Sequence, residues 1–262
     1  MFNSGWFILI PLSIPTTKPT SVCIVSGGLD SVCYAASLAA NEGYELYLLT
    51  FEYGQRAQRE IKRARYFARV LKARDHKIAD MSFMRSLYNR SNALTDNMQA
   101  LSREFSHSLV VPIRNAVFLT IAAAWAMSIN AKVVAYGAHT GDILHYPDCR
   151  PAFVSAISEA LNTAESDNIM SGLRQGIRIL SPAVMGLDKS ALLRTGYEIL
   201  GDKIFQTWSC YSDGIRLGRN YLHCGWCESC INRKSAFTNA QIEDKTQYAT
   251  ESHVIKHKSK DK

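Results

Sequence analysis

A long uninterrupted apolar run in its first twenty residues is what this chain most plainly lacks. The most apolar early stretch, Trp6 to Ile14, contains Pro11 and is closed by Pro15. No basic region precedes it, and it is far too short to span a bilayer. Neither a membrane span nor a secretory leader is expected, and the chain reads as cytoplasmic. Internal repeats are absent, which excludes solenoids and propellers. Low-complexity segments are absent as well. No basic stretch interleaves with aromatic residues, the pattern a single-stranded nucleic acid would need. The formal charge of +7 is therefore assigned to solvated surface and to a lysine-rich tail, although the excess also suits an anionic small molecule. What is present is ordinary for a globular chain: 47% hydrophobic and 20% charged residues over 262 positions, enough to bury a sizeable core.

Cysteine is scarce except in one place. The seven cysteines stand at positions 23, 33, 149, 210, 224, 227 and 230. An odd count without an export signal points to reduced thiols, and hence to metal ligation rather than disulfides. In Cys224-Gly225-Trp226-Cys227-Glu228-Ser229-Cys230 two C-x2-C steps overlap, and Cys210 lies upstream within easy loop-closure distance. Four sulfurs at that reach can enclose a tetrahedral Zn²⁺ with no open position, the arrangement of a structural site. Cys210, Cys224, Cys227 and Cys230 are the expected ligands of one structural Zn²⁺. His223 could replace one of them, though four cysteines suffice. Cys23 falls in a strand and Cys33 in a helix, so both read as core. Cys149 has no identifiable base beside it and reads as structural.

Between Ser21 and Gly201 strand and helix alternate. Short apolar runs at 21–25, 45–51, 76–80, 132–136 and 177–180 read as strands. Helical spacing marks 30–40, 55–72, 115–129, 151–162 and 188–200. The stretch 115–129 is so apolar that a buried helix is expected. Alternation of this kind argues a Rossmann-like α/β fold, a parallel sheet with helices on both faces. Residues 1–20 read as an N-terminal extension, 21–205 as the α/β domain, 206–240 as a small C-terminal zinc-binding annex and 241–262 as a basic tail. Ligands of such sheets sit at the carboxyl ends of the strands. Three polar loops follow strands there: Ser26 to Ser31, Tyr53 to Arg56, and Gly137 to Arg150.

The first of these loops, Val25-Ser26-Gly27-Gly28-Leu29-Asp30-Ser31, joins a strand to a helix. Its glycines allow close approach of backbone N–H groups to phosphate oxygens, and the helix N-terminus favours an anion. It lacks the Gly-Lys-Ser/Thr of a Walker loop. The string resembles the PP-loop motif of ATP pyrophosphatases, with an adenine nucleotide alpha hydrolase-like fold. Such enzymes cleave ATP between the α- and β-phosphates to activate a substrate oxygen.

Further strings are similar to the 7-cyano-7-deazaguanine synthase family of queuosine biosynthesis. They are Phe51-Glu52-Tyr53-Gly54-Gln55-Arg56, Val111-Pro112-Ile113-Arg114-Asn115, Tyr146-Pro147-Asp148-Cys149-Arg150, and the cysteine run with Arg233 and Ala236-Phe237 after it. The resemblance covers roughly Ser21 to Phe237. It implies ATP with Mg²⁺, one structural Zn²⁺, and conversion of 7-carboxy-7-deazaguanine and ammonia to the nitrile. It further implies that the loop from Val25 to Ser31 and Arg114 bind the nucleotide, and that Asp30 and Lys189 are catalytic. Tyr53, Gln55, Arg56, Asp142, Asp148 and Arg150 are implied to bind substrate. A homodimer acting on a small molecule is expected, with neither membrane nor nucleic acid as partner. Two departures stand out: Ala57, where the pattern often has His, and Ala191, where an acid often follows the lysine. A PP-loop enzyme adenylating another acceptor is the alternative; a zinc-ribbon nucleic-acid module is a third reading.

Overall fold

The computed structural model describes residues 18–88 and 91–250. The Trp6–Ile14 run, most of the expected extension and the lysine-rich end of the tail lie outside the described residues.

Five strands, β1 (Thr20–Ile24), β2 (Glu45–Glu52), β3 (Asp75–Asp80), β4 (Val133–Ala135) and β5 (Arg178–Leu180), form one sheet in the order β3-β2-β1-β4-β5. Every pairing in it is parallel. The helices between them are α1 (Leu29–Ala40), α2 (Arg59–Val70), α3 (Met84–Tyr88), α4 (Arg114–Ser128), α5 (Pro151–Ala164) and α6 (Ser166–Met170). After β5 come α7 (Lys189–Leu200), a hairpin of β6 (Ile215–Leu217) and β7 (Asn220–Leu222), and α8 (Glu228–Ala240).

The near-continuous apolar strands have a simple cause: both faces of the sheet are covered, so both alternating sets of side chains are buried. Val22, Leu49, Val134 and Ile179 pack on one face with Leu119 and Ala122 of α4 and Val154 of α5. Their chain neighbours Cys23, Leu48 and Val133 point the other way, into a cluster with α1, Phe67 of α2, Leu193 of α7 and Phe237 of α8. Cys23 and Cys33 are core residues, as their strand and helix positions suggest, and burial pushes the Cys23 thiol up to about 12.

Three expectations need adjustment. The second helix begins at Arg59 rather than Gln55. The Gln55 amide folds back on its own turn, accepting from the Tyr53 N–H at 2.8 Å and donating to the Phe51 carbonyl at 3.1 Å. It ends at Val70, and Lys72 stands beyond it at φ 51°. The apolar helix α4 is buried on one face only, with Thr120, Ala124 and Ser128 turned outward. It lies against a single sheet face, and among the described residues nothing covers these outward positions. By length and composition the run His107–Ser128 could cross a membrane. Here Phe118, Leu119, Ala122, Ala123 and Ala126 are spent on the core instead. The hairpin β6–β7 and helix α8 have no counterpart in the sequence reading, which left the annex without internal structure.

Strand order reverses at β1: the chain builds outward to β3, then crosses to the other side of β1 for β4. That reversal opens a crevice at the carboxyl ends of β1 and β4, the usual place for a ligand in such a sheet.

Candidate active site

The loop after β1 occupies this crevice and is braced from within. The Gly28 N–H donates to Ser26 Oγ at 3.1 Å, and the Ser26 N–H donates to Ser31 Oγ at 3.2 Å. Gly27 has φ 88°, and a Cβ there would meet the Glu60 carbonyl at 2.4 Å. Only glycine fits, because α2 passes directly against the loop. From the other side the Trp208 N–H donates to the Gly27 carbonyl at 2.9 Å. The loop after β4 presses in as closely: a Cβ on Gly137 would lie 2.6 Å from the Ser31 nitrogen.

These loops wall a cavity of about 760 Å³, a size suited to a nucleotide and a small acceptor together. Ser26, Gly28, Leu29, Asp30, Ser31, Tyr53, Gln55, Arg114, Asp142 and Lys189 all line it. At its floor Lys189 Nζ donates to Asp30 Oδ2 at 2.7 Å, while Asp30 Oδ1 is buried with no partner. Burial alone would raise the Asp30 carboxyl, but the charges of Lys189 and His139 hold it below the usual carboxylate range. Burial would likewise lower Lys189, and Asp30 more than reverses that. The result is an ionised pair with one acceptor oxygen to spare.

Arg114 follows Ile113, a β-branched residue in the left-handed region at φ 47°. Such backbone is strained, and the strain sits where the arginine is delivered to the cavity. Its Nη1 donates to Tyr53 Oη at 3.4 Å, and Tyr53, Tyr146 and Asp148 keep it charged against the cost of burial.

The other expected site residues are used differently. Arg56 directs Nη1 to the carbonyls of Ala93 at 3.1 Å and Gln99 at 2.7 Å, pinning the segment that roofs the cavity. Asp148 accepts from the Asn115 N–H and side-chain amide, both at 3.1 Å, and so caps α4. Arg150 Nε donates to the Ile143 carbonyl at 3.2 Å. None of these three lines the cavity. Asp142 does, and it accepts from the His139 N–H at 2.9 Å. Cys149 is 4% exposed and its thiol is pushed up by burial and by Asp142 and Asp148, so it is no nucleophile.

The sequence reading missed several lining residues. Phe105 is one, its ring stacked on His145 at 4.1 Å; it belongs to an irregular segment that carries no periodic signal. Glu60, Tyr211, Glu228 and Asn232 are others. Tyr211 and Glu228 stand directly beside cysteines of the motif, which was the available hint.

The Sγ atoms of Cys210, Cys224, Cys227 and Cys230 all lie within 4.8 Å of one another, and all four residues are buried. Cys224 and Cys230 sulfurs are 3.8 Å apart. Thiolates bound at about 2.3 Å around a tetrahedral ion sit about 3.8 Å from each other, so the cluster fits a structural metal. His223 is not part of it. Its ring stacks on Trp208 at 4.2 Å and its Nε2 accepts from the Ser209 N–H at 3.2 Å. Burial depresses it to about 3, which keeps the ring neutral for that role.

The family described as "Queuosine biosynthesis protein QueC" matches residues 20–241. The chain belongs to this family. A 7-cyano-7-deazaguanine synthase of Hahella chejuensis is 38% identical over 232 residues, covering 87% of this chain and 92% of that protein. One from Thermoplasma acidophilum is 37% identical over 240 residues, 88% of this chain and 92% of its own. "7-Cyano-7-deazaguanine synthase 2" of Colwellia psychrerythraea is 33% identical over 232 residues, 87% of this chain and 98% of its own. The family match spans the Ser26–Ser31 loop, the residues that line the cavity and the four cysteines alike.

Proposed function

We propose that this chain is an ATP-dependent ligase that converts 7-carboxy-7-deazaguanine and ammonia to 7-cyano-7-deazaguanine. The observation that carries the reading is the single cavity in which the Ser26–Ser31 loop, the Asp30–Lys189 pair and Arg114 meet. A carboxylate is a poor acyl acceptor until one oxygen becomes a leaving group. Transfer of AMP to that oxygen provides one, and ammonia then displaces AMP to form the amide. A second activation, at the amide oxygen, and loss of that oxygen form the nitrile. Such chemistry asks the protein to position groups and stabilise charge.

In this reading backbone and hydroxyl groups from Val25 to Ser31 cradle the phosphates, and Lys189 and Arg114 stabilise the charge that develops there. Asp30 is the residue that would hold Mg²⁺, since its Oδ1 has no protein donor. The ion, when bound, neutralises polyphosphate charge. Asp30 itself keeps the Lys189 ammonium aimed at the cavity floor. Tyr53, Gln55 and Asp142 contact the acceptor, while Arg56, Asp148 and Arg150 act through the loops they hold. Zinc is the metal assigned to the four cysteines, on the preference of Zn²⁺ for closed thiolate sites. A cytoplasmic homodimer completes the proposal, and light scattering on a sizing column tests its oligomeric part.

The decisive experiment is mass spectrometry of purified protein with Mg-ATP, ammonium and 7-carboxy-7-deazaguanine. A nitrile product formed together with AMP supports the reading. No nitrile, with AMP released only in the presence of another carboxylate, overturns the substrate.

A further inference from the structure

Glu228 has no place in the chemistry described so far, yet it lines the cavity from the metal-binding annex. It is the first residue of α8, immediately after Cys227. Its two oxygens are held separately. Tyr211 Oη donates to Oε2 at 2.7 Å, and Asn232 Nδ2 donates to Oε1. Its backbone N–H donates to the Ser102 carbonyl at 2.9 Å, which fixes the start of the helix beneath the roofing segment. Both side-chain donors are neutral, and no lysine or arginine forms an ion pair with Glu228 among the described residues. The carboxylate is therefore oriented by neutral donors, and the Lys189 ammonium acts on it only through space. With roughly four lone-pair sites and two of them occupied, it can accept further hydrogen bonds on both oxygens.

Its surroundings narrow what those bonds serve. The cations of the cavity, Arg114 and Lys189, suit the anionic parts of the reactants. Phe105, Tyr146 and Tyr211 offer aromatic walls for a planar ring. A fixed carboxylate, hydrogen-bonded only by neutral side-chain donors, beside such walls matches two adjacent N–H donors on the edge of a flat heterocycle. The acceptor named above has that edge: the ring N1–H and the exocyclic 2-amino group of a guanine-type base. We infer that Glu228, held by Tyr211 and Asn232, accepts both hydrogen bonds from this edge and selects a 2-amino-purine-like acceptor. The inference rests on the proposed function and deepens it. It makes the metal-binding annex one wall of the acceptor site as well as a staple.

The test compares 7-carboxy-7-deazaguanine with its analogue lacking the 2-amino group, in wild type and in Glu228→Gln. Metal content and thermal midpoint are recorded for each protein to show that the annex is intact. Hydrogen bonds to a charged acceptor contribute about 1.5–3 kcal/mol, or roughly 10- to 150-fold. Wild type should prefer the 2-amino compound by that order in kcat/KM, and Glu228→Gln should lose most of the preference with the KM for ATP unchanged. Tyr211→Phe, which keeps the carboxylate but frees one oxygen, should weaken acceptor binding less than Glu228→Gln does. If wild type discriminates and Glu228→Gln discriminates equally, the assignment of Glu228 is overturned while the reaction stands. If wild type does not turn over 7-carboxy-7-deazaguanine at all, the functional reading falls and this inference falls with it.

Discussion

Two carboxyls of the cavity show how the same side-chain chemistry is set to opposite states by its neighbours. Asp30 has a lysine at 2.7 Å and stays ionised. Glu60 accepts no hydrogen bond from the described side chains and is pushed up to about 8, first by burial and then by the charges of Cys210 and Asp213, with Arg114 opposing. The folded protein therefore binds the Glu60 proton more tightly than an unfolded chain, whose carboxyl titrates near 4.5. The stability this confers is complete below that value and is lost as pH rises through about 8. Replacing Glu60 by Gln should leave the thermal midpoint nearly unchanged at pH 5 and raise it relative to wild type at pH 9. A difference that stays flat across that range would remove the assignment. For Asp30 the expected effect is on turnover. Asp30→Ala should lower kcat by about 100-fold or more, in line with losing one preorganised electrostatic group, while the circular dichroism spectrum stays unchanged. Activity within tenfold of wild type would refute a catalytic role for it.

At the scale of elements, the site depends on three loops packed without slack. Gly137 stands against the start of α1, and its missing Cβ is what lets β4 and the phosphate loop meet. Gly137→Ala should destabilise the protein by about 1–3 kcal/mol, the usual cost of overpacking, and should raise the KM for ATP because the displaced atoms belong to Ser31. A denaturation curve and an ATP titration read both; an unchanged KM with normal stability would show that the loop has room to move. The alternation of elements was legible because buried parallel strands and amphipathic helices carry different periods. Helix α8 was not, because its mixed surface of Glu228, Asn232, Lys234 and Ser235 hides the few buried positions, Ala236 and Phe237 among them. The start of α2 was missed for a local reason, a glutamine side chain that satisfies its own turn.

Over the whole molecule, the annex is tied to the Ser26–Ser31 loop by a short path. Cys210 lies two residues from Trp208, whose N–H holds the Gly27 carbonyl. Arg233 of α8, fully buried, donates to Thr207, Ser209 and Thr246, so one guanidinium joins the annex helix, the strap before Cys210 and the segment that follows α8. Loss of the metal should therefore be felt at the phosphate loop. Cys210→Ser should reduce bound metal by elemental analysis, lower the thermal midpoint and weaken ATP binding together. Full metal retention would refute Cys210 as a ligand, and metal loss with unaltered ATP binding would break the proposed coupling.

What could be known from the residues alone was whatever is encoded locally. The parallel sheet follows from alternating periods, the strand-to-helix turn at Ser26–Ser31 from six adjacent residues, and the gathering of four sulfurs from cysteine spacing, since each is a short-range constraint on one stretch of chain. Tertiary structure decided how those pieces share work. It turned Arg56, Asp148 and Arg150 toward carbonyls and a helix start, and it brought Glu60, Phe105, Tyr211 and Glu228 into one cavity from four separate segments. Side-chain direction and charge state depend on neighbours distant in sequence, and only folding supplies those neighbours.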